Sequence, residues 1–239
     1  MVTVLDDLTR ERLKTVSVAT LTTLLFKRGL RNVFLQSVHP VGPGLPRMVG
    51  EAYTLRMIPA REDIDVLEAY ADPAHPQRHA IEHCPAGQVL VIDSRKDARG
   101  ASGGDILLRR LMVRGVAGIV TDGGFRDTPA VAALGFPAYH QRPSAPVGPI
   151  WHHAADTNLP IACGDVAVYP GDVMVGDGEG VACVPAGLAA EIAAEAVEAT
   201  AYEDFVEAQI KLGRRLPGIY PATAESRAEF ERWRQGQAS

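Results

Sequence analysis

Length, composition and charge narrow the class of protein before any motif is considered. The chain has 239 residues, of which 46% are hydrophobic and 22% charged, as is typical of a globular protein with a sizeable core. Its formal net charge is −5 and no stretch is densely basic. The chain therefore lacks the clustered Lys and Arg residues that are typical of a nucleic-acid-binding protein. Apolar runs are too short for a membrane span, and the first residues lack the apolar region of a signal peptide. We therefore expect a cytoplasmic protein with no nucleic-acid or membrane partner.

Hydrophobic periodicity predicts alternating helices and strands along most of the chain. Residues 9–28 show helical spacing of their leucines and valines, and Gly29 is a typical helix stop. Two short apolar runs, at residues 88–93 and 116–121, have the character of buried strands. The predicted elements, in chain order, are a helix at 9–28, strands at 33–38 and 52–58, a mostly helical stretch at 63–82, a strand at 88–93, a helix at 105–114 with Ile106, Leu107, Leu111 and Met112 facing the core, a strand at 116–121, a helix at 128–134, a strand at 137–140, a β-rich segment at 161–185, and helices at 186–212 and 224–234.

This order of elements predicts an α/β fold. Strands that alternate with helices favour a largely parallel sheet covered on both faces. No low-complexity linker divides the chain. We predict one domain over residues 1–239, in which about 186–239 form a C-terminal helical extension.

The three cysteines do not suggest a redox or metal site. Cys84, Cys163 and Cys183 are not spaced as in a redox or zinc motif. No flanking motif supports the alternative of a catalytic cysteine. We expect reduced and mostly buried thiols.

The candidate site lies in residues 102–127, SGGDILLRRLMVRGVAGIVTDGGFRD. Gly104 precedes a predicted helix, and the unpaired N–H groups of a helix N-terminus can hold a small carboxylate. Arg126 and Asp127 follow a predicted strand, and ligands bind at the carboxyl ends of strands in open α/β sheets. We therefore predict that the anion cradle and the Arg-Asp pair converge on one crevice.

The residue types at this crevice are compatible with chemistry on a 2-oxo acid. Carboxylates and water are preferred ligands of Mg²⁺ and Mn²⁺, and an arginine can form paired hydrogen bonds to a carboxylate or a developing oxyanion. A chelated cation would stabilise the enolate that forms when the adjacent carbon–carbon bond breaks. Each feature also has an ordinary alternative: the glycines as a turn, Asp127 as a helix cap, Arg126 as a surface ion-pair partner, and Asp122-Gly123 as a strand-ending turn.

Two segments resemble the signatures of a known family. Residues 103–127 resemble the signature of the class II pyruvate aldolases typified by 4-hydroxy-4-methyl-2-oxoglutarate aldolase, and of the RraA-like proteins that share their fold. Residues 160–185, PIACGDVAVYPGDVMVGDGEGVACVP, resemble the family's Gly-rich second signature. The resemblance covers about residues 16–197. It implies a swivelling β/β/α domain, with a mixed sheet and flanking helices, that assembles as a homotrimer or hexamer with sites between subunits.

The resemblance also implies an activity and a role for each site residue. It implies a lyase that uses Mg²⁺ or Mn²⁺ to cleave a carbon–carbon bond of a 2-oxo acid through a pyruvate enolate, as an aldolase, an oxaloacetate decarboxylase or both. Asp127 is implied as the direct metal ligand, and Arg126 as the catalytic residue that contacts the pyruvyl oxygen. Asp105 is implied as a second catalytic residue near the waters of the metal. The implied substrate-binding set is Gly104, Asp105, Ile106, Leu107 and Arg126, with the amides of residues 105–107 on the substrate carboxylate.

The sequence departs from the family pattern at two places. Relatives often have Glu where Asp105 stands, and they often show Ser-Asp-Ala-Leu where residues 22–25 read Thr-Thr-Leu-Leu. The aldolases also recruit a Glu from the C-terminal region of a neighbouring subunit. Glu203 and Glu207 are both candidates, and the spacing does not choose between them.

The histidines offer a different metal hypothesis. His75, His79 and His83 are spaced i, i+4, i+8 and would share one face of a helix that could bind zinc. Prolines crowd this stretch, which favours an ordinary polar helix face. His152 and His153 could line the site of a neighbouring subunit, but adjacent strand residues point in different directions.

Two other functions remain open. RraA-like relatives include a regulator that inhibits an RNA-degrading endonuclease through protein–protein contact, and a retained Arg126-Asp127 motif does not exclude that role. A lyase or dehydratase acting on a sugar acid could use the same site. Pyruvate release that depends on a divalent cation discriminates the aldolase or decarboxylase from the regulator.

Overall fold

The protein folds around a mixed eight-stranded sheet with flanking helices. The computed structural model describes residues 5–237. Its helices are α1 (Asp7–Thr15), α2 (Val18–Lys27), α3 (Pro76–His83), α4 (Asp105–Val113), α5 (Thr128–Ala133), α6 (Ala189–Lys211) and α7 (Ala224–Gln237). Its strands are β1 (His39–Pro40), β2 (Met48–Pro59), β3 (Val89–Asp93), β4 (Ala101–Gly103), β5 (Gly118–Thr121), β6 (Gly124–Phe125), β7 (Ala138–His140), β8 (Arg142–Pro143), β9 (His152–Thr157), β10 (Ile161–Cys163), β11 (Val166–Val168), β12 (Val173–Gly176) and β13 (Val181–Val184).

The long strand β2 joins a parallel half and an antiparallel half of the large sheet. The strand order is β1-β7-β5-β3-β2-β12-β13, and β9 also pairs with β2. Strands β2, β3, β5 and β7 run parallel, whereas β1, β9, β12 and β13 pair in antiparallel fashion. The two continuous apolar runs that predicted strands are β3 and β5, and every residue of both is buried, as expected for parallel strands covered on both faces.

A separate three-stranded sheet carries the candidate site. Strands β4, β6 and β8 pair in parallel, with Ala101 opposite Gly124 and Gly103 opposite Phe125. Each strand has only two or three residues, so none shows a periodic pattern in the sequence. The pairing brings the start of α4, which follows β4, next to the residues that follow β6.

The core consists of several clusters of buried side chains around the large sheet. On one face, Leu108 and Leu111 of α4 pack with strand residues such as Leu90. On the opposite face, Val91 packs with residues of β10 and β11. A further cluster joins α2 and α6 to residues of β12 and β13. The C-terminal helices have a cluster of their own, which includes Tyr202, Phe205, Ile219 and Phe230.

Several predicted elements differ in the structure. The helix predicted at 9–28 is two helices, because Ser17 adopts an extended conformation and its hydroxyl caps α2 through the Thr20 N–H. The strand predicted at 33–38 is irregular apart from an isolated bridge at Phe34. The stretch at 63–82 contains a 3-10 helix, Leu67–Ala71, followed by α3.

The predicted core face of α4 was partly wrong. Ile106 is 77% exposed and Met112 is 45% exposed, whereas Leu108 is fully buried. The buried stripe runs through Leu108 and Leu111, which lie three residues apart on one side of the helix. Ile106 and Met112 therefore project toward solvent at the edges of that stripe.

The cysteines are free and buried, as predicted. Burial raises the pKa of the Cys84 thiol to about 12, which keeps it in the unreactive protonated form. No helix within residues 5–237 is both long and apolar enough to cross a membrane.

Candidate active site

A cavity of about 700 Å³ opens beside the N-terminus of α4. One part of its wall is formed by Gly104, the N-cap of α4, and by Asp105, the first residue of α4. Arg126 and Asp127, which follow β6, form the adjoining part. The rest of the wall comes from β4, from further residues of α4, from the 3-10 helix, from α3 and from residues 147–149. The residues predicted from the two strand ends therefore line a single cavity.

The pairing of β4 with β6 fixes this arrangement. The N–H of Arg126 donates to the carbonyl of Gly103 at 3.0 Å. A Cβ atom on Gly104 would lie 2.7 Å from Cγ of Arg126 and 2.9 Å from Oδ2 of Asp127. Gly104 is therefore needed for close packing, since any side chain there would displace the Arg-Asp pair.

We expect Gly104→Ala to lower turnover with little loss of stability. The Gly104 backbone is extended, at φ −148° and ψ −178°, so alanine adopts it without strain. The new methyl group would push aside the flexible Arg126 side chain, and a misplacement of about 1 Å can cost about 100-fold in rate. Gly187→Ala is the matched control, because a Cβ there meets open space. Steady-state kinetics and a melting curve test this, and unchanged kcat/KM in Gly104→Ala would contradict it.

Asp127 occupies an unusual backbone position for a non-glycine residue. Its φ is 56° in the left-handed region, which costs free energy for most residues and is best tolerated by Asn and Asp. Asp127 is the N-cap of α5, but its side chain makes no capping hydrogen bond. The simple helix-cap interpretation therefore does not explain its carboxylate, which faces the cavity and is 41% exposed.

The Arg126 side chain contacts the same carboxylate. Its Nε donates to Oδ2 of Asp127 at 3.1 Å, and its side chain is 44% exposed. No other described side chain accepts a hydrogen bond from this guanidinium. The pair is thus joined in one ion pair beside an open cavity, and the outer guanidinium nitrogens remain available to a ligand.

The first turn of α4 leaves two N–H groups without an acceptor. The amides of Asp105 and Ile106 donate to no group in the described part of the chain, whereas the amide of Leu107 donates to the carbonyl of Gly104 at 3.1 Å. The Asp105 carboxylate likewise forms no hydrogen bond or ion pair within residues 5–237. Of the three amides expected to hold the substrate carboxylate, those of Asp105 and Ile106 are therefore the free ones.

A buried hydroxyl cluster lies at the ends of the strands that lead toward the cavity, and it was missed in the sequence. The hydroxyls of Ser94, Ser102 and Thr121 lie within 2.7 to 3.0 Å of one another. Asp122 accepts from the N–H of Ser94 at 2.7 Å and from the N–H of Gly164 at 3.2 Å. These contacts join the ends of β3, β4 and β5, and a Thr-Asp pair ending a buried strand was the available sequence signal.

We expect Asp122 to make stability dependent on pH. Burial raises the pKa of its carboxyl to about 6, although the hydrogen bonds from backbone N–H groups act in the opposite direction and lower this pKa. Its contribution to stability is therefore fully present below its unfolded pKa of 3.8 and is lost as the pH rises through about 6. The free energy of unfolding of the wild type minus that of Asp122→Asn should fall by about 2–3 kcal/mol between about pH 4 and pH 7. Urea unfolding of both proteins at a series of pH values measures this difference in free energy. A difference that grows with pH would contradict the prediction.

The site residues fit a hard divalent cation rather than a structural zinc ion. No group of three His, Cys, Asp or Glu side chains within the described residues could hold a metal ion. Mg²⁺, however, keeps several waters and commonly binds through one or two carboxylates. Oδ1 of Asp127 accepts no hydrogen bond from a described residue, and the unpaired Asp105 carboxylate lies on the same wall. This donor set suits a partly hydrated cation.

The other candidate metal-binding histidines are arranged differently. The rings of His79 and His83 stack at 4.0 Å, whereas His75 packs against Tyr70 at 4.2 Å. His152 is buried, with its Nε2 at 3.2 Å from the carbonyl of Gly100. None of these four histidines lines the cavity.

The two candidate glutamates lie on α6, outside the cavity wall. Glu203 accepts from the hydroxyl of Thr20 at 3.2 Å. Glu207 pairs with Lys211 at 2.6 Å and is 64% exposed. Neither contacts Arg126 or Asp127 within this chain.

A model of one protein family matches residues 4–183 of the chain. The chain belongs to the RraA-like (Aldolase/RraA) family. A protein of Halalkalibacterium halodurans named "Putative 4-hydroxy-4-methyl-2-oxoglutarate aldolase" is 38% identical over 108 residues, which cover 45% of this chain and 51% of that protein. The match thus spans about half the length of that curated relative.

Solved structures agree with this RraA-like fold. Streptomyces coelicolor RraAS2, described as an unusual member of the RNase ES inhibitor RraA protein family, matches with a TM-score of 0.74 and 30% identity, over 84% of this chain and 96% of that one. An uncharacterised protein from Pseudomonas syringae has a TM-score of 0.80 at 24% identity, over 92% and 96% of the two chains, and shows the fold alone. The predicted family and the predicted α/β fold with a mixed sheet and flanking helices are confirmed.

Proposed function

We propose that this RraA-like protein is a divalent-metal-dependent lyase that cleaves a carbon–carbon bond of a 2-oxo acid through a pyruvate enolate. The activity is of the 4-hydroxy-4-methyl-2-oxoglutarate aldolase type, the oxaloacetate decarboxylase type or both. The relative from H. halodurans carries the first of these names. The proposal assigns the function to the cavity at the start of α4.

One observation carries the proposal. Free N–H groups at the start of α4 and the Arg126-Asp127 pair line the same cavity, and the packing of Gly104 against that pair holds them together. A 2-oxo acid has a carboxylate beside a ketone, so it needs an anion site next to a group that stabilises charge on oxygen. This cavity wall offers both.

Each residue has a defined part in the proposed reaction. The amides of Asp105 and Ile106 hold the substrate carboxylate at the positive end of the α4 dipole. The guanidinium of Arg126 donates hydrogen bonds to the ketone oxygen, where negative charge grows as the carbon–carbon bond breaks. Asp127 would hold Mg²⁺ or Mn²⁺, with Asp105 close to its waters. When bound, the cation supplies Lewis-acid stabilisation of the same developing charge.

The proposal includes assembly as a homotrimer or hexamer. Large apolar side chains are exposed around the cavity, with Leu67 at 64%, Ile106 at 77% and Ile150 at 55%. Burial of such groups between subunits would be favourable. Size-exclusion chromatography with light scattering measures the mass, and a monomer at all concentrations would contradict this part.

Pyruvate release tests the function directly. Lactate dehydrogenase and NADH report pyruvate formed from 4-hydroxy-4-methyl-2-oxoglutarate or from oxaloacetate, with Mg²⁺, with Mn²⁺ and with a chelator. Reactions without protein correct for spontaneous decarboxylation. We expect turnover that requires the cation and is lost on chelation.

The same assay addresses a second candidate function. RraAS2, which is 30% identical to this chain, is described as a member of a family of RNase ES inhibitors. If no 2-oxo acid releases pyruvate with either cation, the enzyme proposal fails and a regulator that acts by protein–protein contact is favoured. Turnover of a sugar acid in place of these substrates would indicate a related lyase or dehydratase.

A further inference from the structure

Arg78 differs from the other arginines of the cavity wall because it has no carboxylate partner. Arg126 pairs with Asp127, and Arg110 pairs with Glu82 through contacts that include Nε to Oε1 at 3.0 Å and Nη2 to Oε2 at 2.7 Å. Within residues 5–237, no Asp or Glu oxygen forms an ion pair with Arg78. It therefore lines the cavity as a cation that forms no ion pair.

The guanidinium of Arg78 is nevertheless held in place. Its Nε donates to the carbonyl of Tyr70 at 3.2 Å, and its Cζ lies 5.1 Å from the centroid of the Tyr70 ring. No described residue accepts a hydrogen bond from either Nη group. Two donors of a positioned, half-buried cation are therefore available to a ligand.

Arg78 shares the cavity with the keto-acid end of the proposed site. The neighbouring Gln77 is buried, and its Nε2 donates to the carbonyl of Ser102 at 2.8 Å. This bond ties the start of α3 to β4, which leads into Gly104. The cavity of about 700 Å³ is in the range of pockets that enclose drug-sized ligands. It has room for a substrate that extends well beyond a pyruvyl group.

We propose that Arg78 binds a second carboxylate at the far end of the substrate, so that the site selects 2-oxo acids with two carboxylates. The inference rests on the proposed function, which places the keto-acid end against Gly104 and Arg126. A planar guanidinium matches a carboxylate in charge and geometry. A substrate with a neutral end leaves this cation without a partner in a partly dehydrated site, which disfavours its binding.

Matched substrates and variants test the inference. The dicarboxylate is 4-hydroxy-4-methyl-2-oxoglutarate, and its neutral counterpart is 4-hydroxy-4-methyl-2-oxopentanoate, in which a methyl group replaces the distal carboxylate. We expect Arg78→Gln to raise KM for the dicarboxylate by about 10- to 100-fold, as for loss of a hydrogen bond to a charged group. The kcat for the dicarboxylate and both constants for the neutral substrate should change little.

Two further variants complete the set. Arg78→Lys keeps the charge without the planar guanidinium and should retain part of the preference. Arg109→Gln removes an exposed arginine of α4 that lies outside the cavity wall, and it should behave like the wild type. The assignment would be overturned if both folded Arg78 variants lost kcat/KM equally on the two substrates. It would also be overturned if they lost kcat/KM on neither substrate.

Equilibrium binding separates this inference from the proposed reaction. Calorimetry with Mg²⁺ compares 2-oxoglutarate with 2-oxopentanoate, neither of which needs to be cleaved. Tighter binding of the dicarboxylate that disappears in Arg78→Gln supports the subsite even if no pyruvate is released in the kinetic assay. Equal binding of the two acids by the wild type overturns the subsite while leaving the lyase proposal intact.

Discussion

Asp127→Asn is expected to lower metal-dependent turnover by about 1,000-fold, since Lewis-acid stabilisation by a cation contributes several kcal/mol. Asparagine tolerates the left-handed backbone found at Asp127, so the change removes the charge without adding strain. Asp127→Ala should lower turnover at least as much, but alanine is less suited to that backbone. Steady-state pyruvate release at saturating Mg²⁺ is the measurement.

Asp165→Asn is the matched control for this variant. Asp165 has a φ of 66° and pairs with Lys96 at 2.7 Å. Like Asp127, it therefore has a left-handed backbone conformation and forms an ion pair with a cationic side chain. It lies outside the cavity wall. Comparable activity of Asp127→Asn and Asp165→Asn would show that Asp127 is not the metal ligand.

Arg126→Lys is expected to lower kcat/KM by about 100-fold, as for loss of a preorganised oxyanion donor. Lysine retains the charge but carries it on a single ammonium nitrogen, Nζ. It therefore cannot bond to Asp127 through one nitrogen and to the ketone oxygen through others in the planar geometry of a guanidinium. Arg126 uses its Nε for Asp127 and leaves its outer nitrogens available. The fall in kcat/KM should be seen with both Mg²⁺ and Mn²⁺.

Arg234→Lys tests whether any exposed arginine in an ion pair gives the same effect. Arg234 lies on α7 and contacts Glu198 through Nη1 at 2.9 Å and Nη2 at 3.2 Å. Its replacement should leave turnover unchanged. If Arg126→Lys were as active as this control, the assigned role in charge stabilisation would be wrong.

The sequence predicted the large sheet, and it predicted which residues would line one cavity, for clear physical reasons. The runs at 88–93 and 116–121 are continuous and apolar, which identifies strands buried on both faces. Glycines before a helix and charged residues after a strand mark backbone ends, where ligands bind. These local signals located Gly104, Arg126 and Asp127, although their functional roles stay predictions.

Other features depend on tertiary contacts that no local pattern reveals. The β4-β6-β8 sheet consists of strands too short to show alternation, and its pairing alone brings Gly104 against Arg126. The amphipathic pattern of α4 could not show that Ile106 projects outward. Arg78 is conspicuous only when its neighbours are known, since its significance lies in having no carboxylate partner. The division into one domain with a C-terminal extension from about residue 186 also stays a prediction.

Binding of Mn²⁺ shows whether Asp127 holds a cation, and its measurement does not depend on knowing the natural substrate. Electron paramagnetic resonance reports free Mn²⁺ as the protein is titrated, with and without oxalate as a mimic of the pyruvate enolate. In the wild type and in Asp165→Asn we expect saturable binding that oxalate tightens, and in Asp127→Asn we expect this binding to be lost. If Asp127→Asn bound Mn²⁺ as tightly as the wild type, with the same response to oxalate, Asp127 would not be the metal ligand.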